Sequence, residues 1–163
     1  MQNQNRLIKI ATKLFLLKLI IILTISCDNP SNQINKLSSP KISREYIKPH
    51  NGYSEAVVIT SKNKKTIYLS GQIGNGETLE IQMRDALNKL LKLIEECGGS
   101  QKDIVKMNSY IVNYKTSDLD TFRKVRKEIL GDSEMPASTL IGVQALALPE
   151  WKIELDATVE IER

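Results

Sequence analysis

The segment from Lys152 to Ile161 alternates between polar and apolar residues almost without exception, and this alternation constrains the fold more than any other feature. Its apolar members are Ile153, Leu155, Ala157, Val159 and Ile161. Because successive side chains of a β-strand point to opposite faces, the pattern predicts a strand with one face on a hydrophobic core and a polar opposite face. The chain must therefore supply another layer that covers the apolar face.

The first candidate for that layer is an amphipathic helix predicted over Leu79–Glu96. Its apolar positions recur every three or four residues and are Met83, Ala86, Leu87, Leu90, Leu91 and Ile94. Thr78 is a candidate N-cap, and the pair Gly98-Gly99 ends the helix.

A second amphipathic helix is predicted to begin near Ser117, which together with Asp120 resembles a capping box, and to run through Leu130 until Gly131 stops it. Its apolar positions are Leu119, Phe122, Val125 and Ile129. Its basic residues are Arg123, Lys124, Arg126 and Lys127. We interpret this basic stretch as a solvated helix face.

Strand-like runs fill the rest of the domain. Ser54–Thr60 and Thr66–Ser70 flank a polar turn and predict a hairpin, and Ile104–Val112 and Ser138–Leu146 predict two more strands. Trp151 is expected to pack at the start of the final strand. The order ββαβαββ predicts an α+β domain with one sheet and both helices on one face. The other face of the sheet then lacks cover, so we expect a homo-oligomer.

Positive charge is concentrated near the start of the chain. The sequence has 23 basic and 19 acidic residues, a formal net charge of +4. Residues 1–26 hold four of the basic residues and no acidic one, so the remainder carries 19 of each. A neutral body has no electrostatic footprint for a phosphate backbone, and we expect no nucleic-acid partner. The basic start and the apolar run Leu19–Ile25, too short to span a bilayer, are typical of an export signal.

The tetrapeptide Thr24-Ile25-Ser26-Cys27 resembles a lipoprotein lipobox, although that pattern prefers Leu three residues before the cysteine and Leu23 lies four before. We expect a signal peptide over residues 1–26, lipidation of Cys27, and anchoring to a bacterial membrane outside the cytoplasm, in the cell envelope. The alternative is an uncleaved, loosely anchored helix. Residues 27–44, rich in Asn, Ser and Pro, are predicted to be a flexible tether for a domain over residues 45–163.

Cysteine and histidine are scarce. If Cys27 is acylated, Cys97 is the only remaining thiol, and no intrachain disulfide is expected. Cys97 follows the apolar stripe of the first helix, so we predict a buried structural residue rather than a nucleophile paired with His50, the single histidine. These two residues do not supply the ligands of a metal site, and none is expected.

The residues alone leave the functional site open. The loop Gly71–Gly76 lacks the lysine of a phosphate-binding loop and is better read as turn geometry. Asp156 and Glu154 share one face of the last strand, where they line a pocket or form the wet face of the sheet. Ser138 and Thr139 offer hydroxyl groups, but no nucleophilic triad is assembled.

Six motifs, in order along the chain, resemble those of the Rid proteins, the reactive-intermediate deaminases also called YjgF-like or L-PSP endoribonuclease-like proteins. The motifs are Gly52–Ala56, Tyr68–Ile73, Gln82–Leu87, Asp103–Lys106, Pro136–Ala137 and Ile153–Ala157. The resemblance covers about residues 48–161. It implies a chorismate-mutase-like α+β fold with one mixed sheet, and a homotrimer whose sheets form a central barrel with ligand clefts between adjacent subunits.

The resemblance also implies a cofactor-free hydrolysis of 2-imino acids to 2-oxo acids and ammonia. In that family an arginine of a Pro-Ala-Arg segment binds the substrate carboxylate, and a carboxylate near the last strand positions water. Tyr53 and Ser70 match two residues that shape the cleft, Asp156 takes the place of the usual glutamate, and Ser138 stands where the arginine belongs. A neutral hydroxyl at Ser138 replaces a charge-assisted pair, so we expect that the chain is not an efficient 2-imino-acid deaminase.

Three functions remain open at this stage. The first is a small-metabolite binding module with its cleft between subunits, and the second is an imine or enamine hydrolase in which Asp156 positions water and Tyr53, Ser70, Ser138 and Thr139 contact the substrate. The third, a ribonuclease, is least favoured because the body is neutral and has few residues for base stacking.

Overall fold

The computed structural model describes residues 41–132 and 134–163. In chain order its elements are β1 (Ser43–Pro49), β2 (Ser54–Thr60), β3 (Lys64–Leu69), β4 (Gln72–Ile73), α1 (Leu79–Glu96), β5 (Ile104–Val112), α2 (Asp118–Leu130), β6 (Ala137–Val143) and β7 (Ile153–Glu162). The predicted signal peptide, Cys27 and most of the predicted tether lie outside the described residues.

All of these strands join one mixed sheet. The order across the sheet is β1-β2-β3-β7-β5-β6, and the short strand β4 also pairs with β7. Strands β5 and β6 run parallel to each other, and the other neighbours are antiparallel. The predicted α+β architecture with one sheet is therefore confirmed, and β7 lies in the middle of the sheet between β3 and β5.

Both helices pack on the same face of the sheet. On β7, Ile153, Leu155 and Val159 are fully buried and Ala157 is 2% exposed, so the predicted alternation is confirmed. Met83, Ala86, Leu87, Leu90 and Ile94 of α1 and Val125 of α2 are likewise fully buried in the same core. Burying one large apolar side chain stabilises a fold by roughly 1.5–3 kcal/mol, so this layer is the main source of stability.

The opposite face of the sheet carries no helix among the described residues. Large side chains on this face are exposed to solvent, including Tyr46 and Tyr68, which are 60% and 49% exposed. The acidic residues of β7 lie on this face because they alternate with the buried apolar ones. The prediction that one face lacks cover within the chain holds for residues 41–132 and 134–163. In the same residues no helix has the length and apolar character needed to cross a membrane.

Helix α1 has the predicted bounds, and local hydrogen bonds explain both ends. The hydroxyl oxygen of Thr78 accepts from the Ile81 amide at 3.2 Å, which is an N-cap. At the other end the Lys65 ammonium donates to the Cys97 carbonyl, so a cation meets the negative end of the helix dipole. Gly98 follows with a φ of +79°, a conformation that favours glycine. Cys97 itself is buried and forms no disulfide within the described residues, and burial raises the pKa of its thiol.

Strand β1 was not predicted. It begins at Ser43, inside the range assigned to the tether, and pairs with β2 from Ser43 opposite Thr60 to Pro49 opposite Ser54. Its side chains are mostly exposed, and only Ile47 packs against the core. The strand is therefore held mainly by backbone hydrogen bonds along the edge of the sheet. Because such bonds do not require apolar side chains, the sequence of β1 lacks a clear alternation of polar and apolar residues.

Two predicted boundaries differ from the structure. The capping box at Ser117 is wrong, because the Ser117 side chain makes no capping hydrogen bond and the Asp118 carboxylate instead accepts from the Lys115 amide at 2.7 Å. The strand predicted over 138–146 ends at Val143. Its ladder partner β5 ends at Val112, which pairs with Val143. The next residue, Asn113, has a φ of +51°, so the chain turns away from the ladder there.

A buried glutamine connects α1 to the loop that leads into β7. Gln82 is 2% exposed, and its Nε2 donates to the Gly76 carbonyl at 2.8 Å and to the Glu150 carbonyl at 2.9 Å. Its Oε1 accepts from the Lys152 amide at 2.8 Å. One amide side chain therefore satisfies three backbone groups from two loops, and it fixes the position at which β7 begins.

We expect Gln82→Leu to lower the free energy of unfolding by about 3 kcal/mol or more, because three backbone groups lose their partner while the side-chain volume hardly changes. Urea denaturation measures this loss. Asn88→Leu is the matched control, since Asn88 is an exposed amide on the same helix and its replacement should change stability by less than about 0.5 kcal/mol. Equal losses in the two variants would contradict the role assigned to Gln82.

Candidate functional site

A cavity of about 590 Å³ opens where β2, β3 and β4 meet the start of β7. It is lined by Tyr53, Glu55, Ser70, Gly71, Gln72, Ile73, Lys89, Ala147, Trp151 and Glu154. Tyr53 and Ser70, both predicted as site residues, lie together in its wall. The loops before β2 and after β3 bring them there, because β2 and β3 are antiparallel neighbours.

Glu154 is the carboxylate that reaches this cavity next to the glycine-rich loop. A Cβ atom placed on Gly71 would lie 1.7 Å from Glu154 Oε1, so the side chain packs directly over the glycine. Glu154 is half-buried, and its pKa is raised first by burial and then by the negative charge of Asp156. A half-buried carboxyl group with a raised pKa is a candidate for proton transfer.

The opposite wall is a hydrogen-bonded polar cluster. Glu55 Oε1 lies 3.0 Å from His50 Nε2, and Glu55 Oε2 accepts from Gln72 Nε2 at 3.0 Å. The Ser70 hydroxyl donates to the Ser54 carbonyl at 2.6 Å. His50 stacks on the Tyr53 ring with the centroids 4.8 Å apart. These contacts fix the side chains of the wall and leave the Tyr53 ring 54% exposed at the cavity mouth.

Two further lining residues were not predicted as site residues. Trp151 precedes β7 as expected, but it is also part of the cavity wall. Lys89 of α1 donates to the Ile73 carbonyl at 3.1 Å and pairs with the Asp85 carboxylate at 2.9 Å. The sequence signal for Lys89 would have been its position one turn after Asp85, facing the glycine-rich loop.

Asp156, the predicted catalytic carboxylate, does not line this cavity. It lies on the open face of the sheet, where its Oδ1 accepts from Asn108 Nδ2 at 2.8 Å. It stands beside Tyr110, whose pKa is raised by burial and by the Asp156 carboxylate. The structure therefore brings Tyr53 and Ser70 together with Glu154 rather than with Asp156. The two carboxylates are neighbouring positions on one face of β7, with only Leu155 between them in the sequence.

Ser138 and Thr139 lie on the edge strand β6, away from the cavity of the same chain. Adjacent strand residues face opposite sides, and the two hydroxyls accordingly have different partners. The Thr139 hydroxyl accepts from the Lys106 ammonium, whereas the Ser138 hydroxyl accepts from Arg126 Nη1 at 2.7 Å. The solvated-face interpretation of the second helix thus fails for Arg126, which folds back onto β6.

Other places in the described residues offer less for chemistry. A cavity of about 690 Å³ lies near the end of β7, and an ion pair between Lys64 and Glu160 stands on its wall. None of the predicted site residues lines it. Within residues 41–132 and 134–163, no group of three His, Cys, Asp or Glu side chains is arranged to hold a metal ion.

The fold and the site together define a class of small α+β proteins with one mixed sheet, two helices on one face and a polar cavity at a glycine-rich loop. The model of the family described as endoribonuclease L-PSP matches residues 43–161. The chain therefore belongs to this family, also called the YjgF or Rid family, as the motifs predicted.

Two named relatives and two solved structures agree with this assignment. A 2-iminobutanoate/2-iminopropanoate deaminase of Dermatophagoides farinae is 32% identical over 122 residues, 70% of this chain and 89% of the relative. The mitochondrial protein mmf1 of Schizosaccharomyces pombe is 30% identical over 129 residues, 74% of this chain and 70% of the relative.

The structural matches are crystal structures of family members from two bacteria. The YjgF-family protein of Neisseria meningitidis has a TM-score of 0.63 at 27% identity, over 72% of this chain and 93% of that chain. The Mycobacterium tuberculosis member has a TM-score of 0.64 at 23% identity, over 73% of this chain and 100% of that chain, and shows the shared fold.

We expect the pKa of the Glu154 carboxyl group to lie above its usual range, and Asp156→Asn to lower it because a negative neighbour is removed. Burial, the larger cause, should keep it above the usual range in the variant. Carbon-detected NMR titration of the side-chain carboxyl measures both values. Glu160→Gln, further along the same strand, is the control and should leave the Glu154 pKa unchanged. A pKa that does not respond to Asp156→Asn would contradict this arrangement.

Proposed function

We propose that the chain is a cofactor-free hydrolase of small imines, with Glu154 as the carboxylate that positions water. The observation that carries this proposal is the half-buried Glu154 carboxyl, held over Gly71 in a cavity whose wall also contains Tyr53 and Ser70. A carboxyl group with a raised pKa can both accept and return a proton.

The proposed reaction balances with water alone. The oxygen of a water molecule held by Glu154 forms a bond to the imine carbon, and the carboxylate takes a proton from that water. The proton then passes to the imine nitrogen and gives a carbinolamine. The carboxylate next takes the proton of the new hydroxyl group and passes it to the amine nitrogen, and the C=O bond forms as the C–N bond breaks, so that a 2-oxo acid and ammonia leave. The Tyr53 and Ser70 hydroxyls stand in the wall as neutral contacts for the polar groups of the substrate.

The relatives support this class of substrate. The mite relative carries the name 2-iminobutanoate/2-iminopropanoate deaminase, and these substrates are small 2-imino acids. The sequence-based expectation of inefficient turnover remains part of the proposal, because Ser138 stands where the resemblance places an arginine. We give the water-positioning role to Glu154 because it lines the cavity, and Asp156 stays the alternative, which its own variant tests.

We expect the full-length chain, purified in mild detergent, to hydrolyse freshly generated 2-iminobutanoate, and Glu154→Gln to lower kcat at least about 100-fold because the proton acceptor is lost. Asp156→Asn should retain most of the rate. Activity should fall on the acid side as Glu154 becomes protonated, at a pH above the usual range for a glutamate. Release of 2-oxobutanoate is the measurement.

The pair of variants also separates the two carboxylates. Loss of turnover in Asp156→Asn together with an unaffected Glu154→Gln would restore the original assignment of Asp156. No turnover by the parent chain would favour the second candidate function, a binding module that holds a small metabolite without hydrolysing it. The neutral Ser138 is the feature that favours this second candidate.

We also propose that the chain assembles as a homotrimer with its ligand clefts between subunits, as the family resemblance implies. Support comes from the open face of the sheet, where exposed Tyr46 and Tyr68 would be covered by neighbouring copies. It also comes from the distance between the cavity and Ser138 within one chain. Across the sheet, Ser138 of β6 is in register with Met107 of β5 and Ala157 of β7. Ala157 is three residues from Glu154 along β7, and β7 is two strands away from β6.

We further propose that the protein is an exported lipoprotein of the bacterial cell envelope, anchored through Cys27. Residues 1–26 combine basic residues, an apolar run and no acidic residue, which supports export. Two or more acyl chains on one residue suffice for stable anchoring, whereas a single chain gives only marginal binding.

We expect Cys27→Ala to abolish lipid attachment and to move the protein from the membrane fraction to the soluble or precursor fraction. Metabolic labelling of a bacterial host with an alkyne fatty acid, followed by gel fluorescence, measures attachment. Cys97→Ala is the matched control, because Cys97 is buried in the core and should not affect labelling. Equal labelling of Cys27→Ala and the parent would contradict the proposed anchor.

A further inference from the structure

The edge of the sheet at β6 holds a guanidinium group that lacks a counter-ion. Arg126 donates from Nη1 to the Ser138 hydroxyl oxygen at 2.7 Å, and its Cζ lies 5.5 Å from the centroid of the Phe122 ring. Its Nε is buried and donates to no acceptor among the described residues. In residues 41–132 and 134–163, no carboxylate oxygen lies within 4.0 Å of this guanidinium.

The charges of other cations on the two helices are balanced by carboxylates or solvated by water. Arg84, Lys124 and Lys127 each have a nitrogen within 3.1 Å of a carboxylate oxygen. Arg123 is exposed, so water can solvate its charge. Arg126 is partly buried, and burial lowers the pKa of its guanidinium, although an arginine remains protonated. A desolvated cation is costly unless an anion accompanies it.

The cavity of one chain, by contrast, has no free cation for an anionic substrate among residues 41–132 and 134–163. Its carboxylates are Glu55 and Glu154, and Lys89 is its single basic lining residue. The Lys89 ammonium is already engaged by the Asp85 carboxylate at 2.9 Å and by the Ile73 carbonyl at 3.1 Å. A substrate that carries a carboxylate therefore needs a positive group from outside this set.

We propose that Arg126 is the residue that binds the substrate carboxylate, with Ser138 beside it as a second donor. This inference rests on the proposed function and names the recognition group that it lacks. Because the Ser138 oxygen accepts from Arg126, its own hydroxyl hydrogen is free to donate to the same carboxylate. Arg126 thus delivers from α2 the charge that the neutral residue at position 138 does not supply.

The site is complete with a second copy of the chain. Within one chain, the row of Ser138 crosses β7 at Ala157, three residues from Glu154, so the two positions are about 10 Å apart along the strands and about 10 Å apart across them. They also lie on opposite faces of the sheet, because Ala157 faces the helices and Glu154 the open face. That separation exceeds the span of a small 2-imino acid. Arg126 of one subunit therefore serves the cavity of an adjacent subunit, in a cleft between two copies.

The test uses the full-length chain and 2-oxobutanoate, the stable product of 2-iminobutanoate hydrolysis, as the binding probe. Calorimetry or ligand-observed NMR gives Kd for the parent, Arg126→Gln, Arg126→Lys and the control Arg123→Gln. We expect Arg126→Gln to weaken binding at least about 10-fold, because a charge-assisted pair is lost. Arg126→Lys should weaken it less, since the charge stays but the bidentate fork is lost, and Arg123→Gln should leave Kd unchanged.

A neutral ligand distinguishes recognition of the carboxylate from a purely structural role. Binding of 2-butanone, which lacks the carboxylate, should be the same in the parent and Arg126→Gln. The double variant Arg126→Gln/Ser138→Arg should recover 2-oxobutanoate binding. If Arg126→Gln melts at a much lower temperature than the parent, Arg126→Lys provides the comparison, with a several-fold weaker Kd still expected.

The outcomes separate this inference from the proposed hydrolysis. An unchanged Kd in both Arg126 variants, or a parent that does not bind 2-oxobutanoate, would overturn the inference. A parent that hydrolyses 2-iminobutanoate with Arg126→Gln equally active would overturn it and leave the hydrolase standing. Binding of 2-oxobutanoate that depends on Arg126 without any imine turnover would support the inference and overturn the hydrolase.

Discussion

The candidate site depends on three hydrogen bonds made by one buried side chain. Gln82 holds the Gly76 carbonyl on one side and the Glu150 carbonyl and Lys152 amide on the other. The glycine-rich loop and the entry to β7 are thereby fixed to the same turn of α1. Because Glu154 follows Lys152 by only two residues, the position of its carboxyl group over Gly71 is a consequence of this connection.

Charge is distributed unevenly between the cavity and the edge of the sheet. The cavity carries the Glu154 carboxyl group, and α2 carries the Arg126 guanidinium, which lies against β6. Neither group forms an ion pair among the described residues. Each of these groups is partly desolvated, which shifts the pKa of Glu154 upward and that of Arg126 downward. In the proposed assembly, these two groups, on separate surfaces of one chain, come from two different copies at each ligand cleft.

The sequence predicted the parts of the fold that bury apolar residues. Leu79–Glu96 and the alternation around Leu155 are correct because hydrophobic periodicity reports directly on burial. Strand β1 was missed because its exposed residues show no such period. Tyr53 and Ser70 were predicted from motifs. The contact between Arg126 and Ser138 was not predicted, because it joins residues 12 positions apart in the sequence. The pattern of residues along a helix does not indicate where a long side chain folds back.

The central strand of the sheet is the last one in chain order. β7 separates β3 from β5, so the two halves of the sheet cannot join until the residues near Glu162 have been synthesised. Without β7, the strands β1-β2-β3 and β5-β6 share no strand pairing among the described residues. A truncation that removes β7 therefore takes away the pairing partner of β3, β4 and β5 at once.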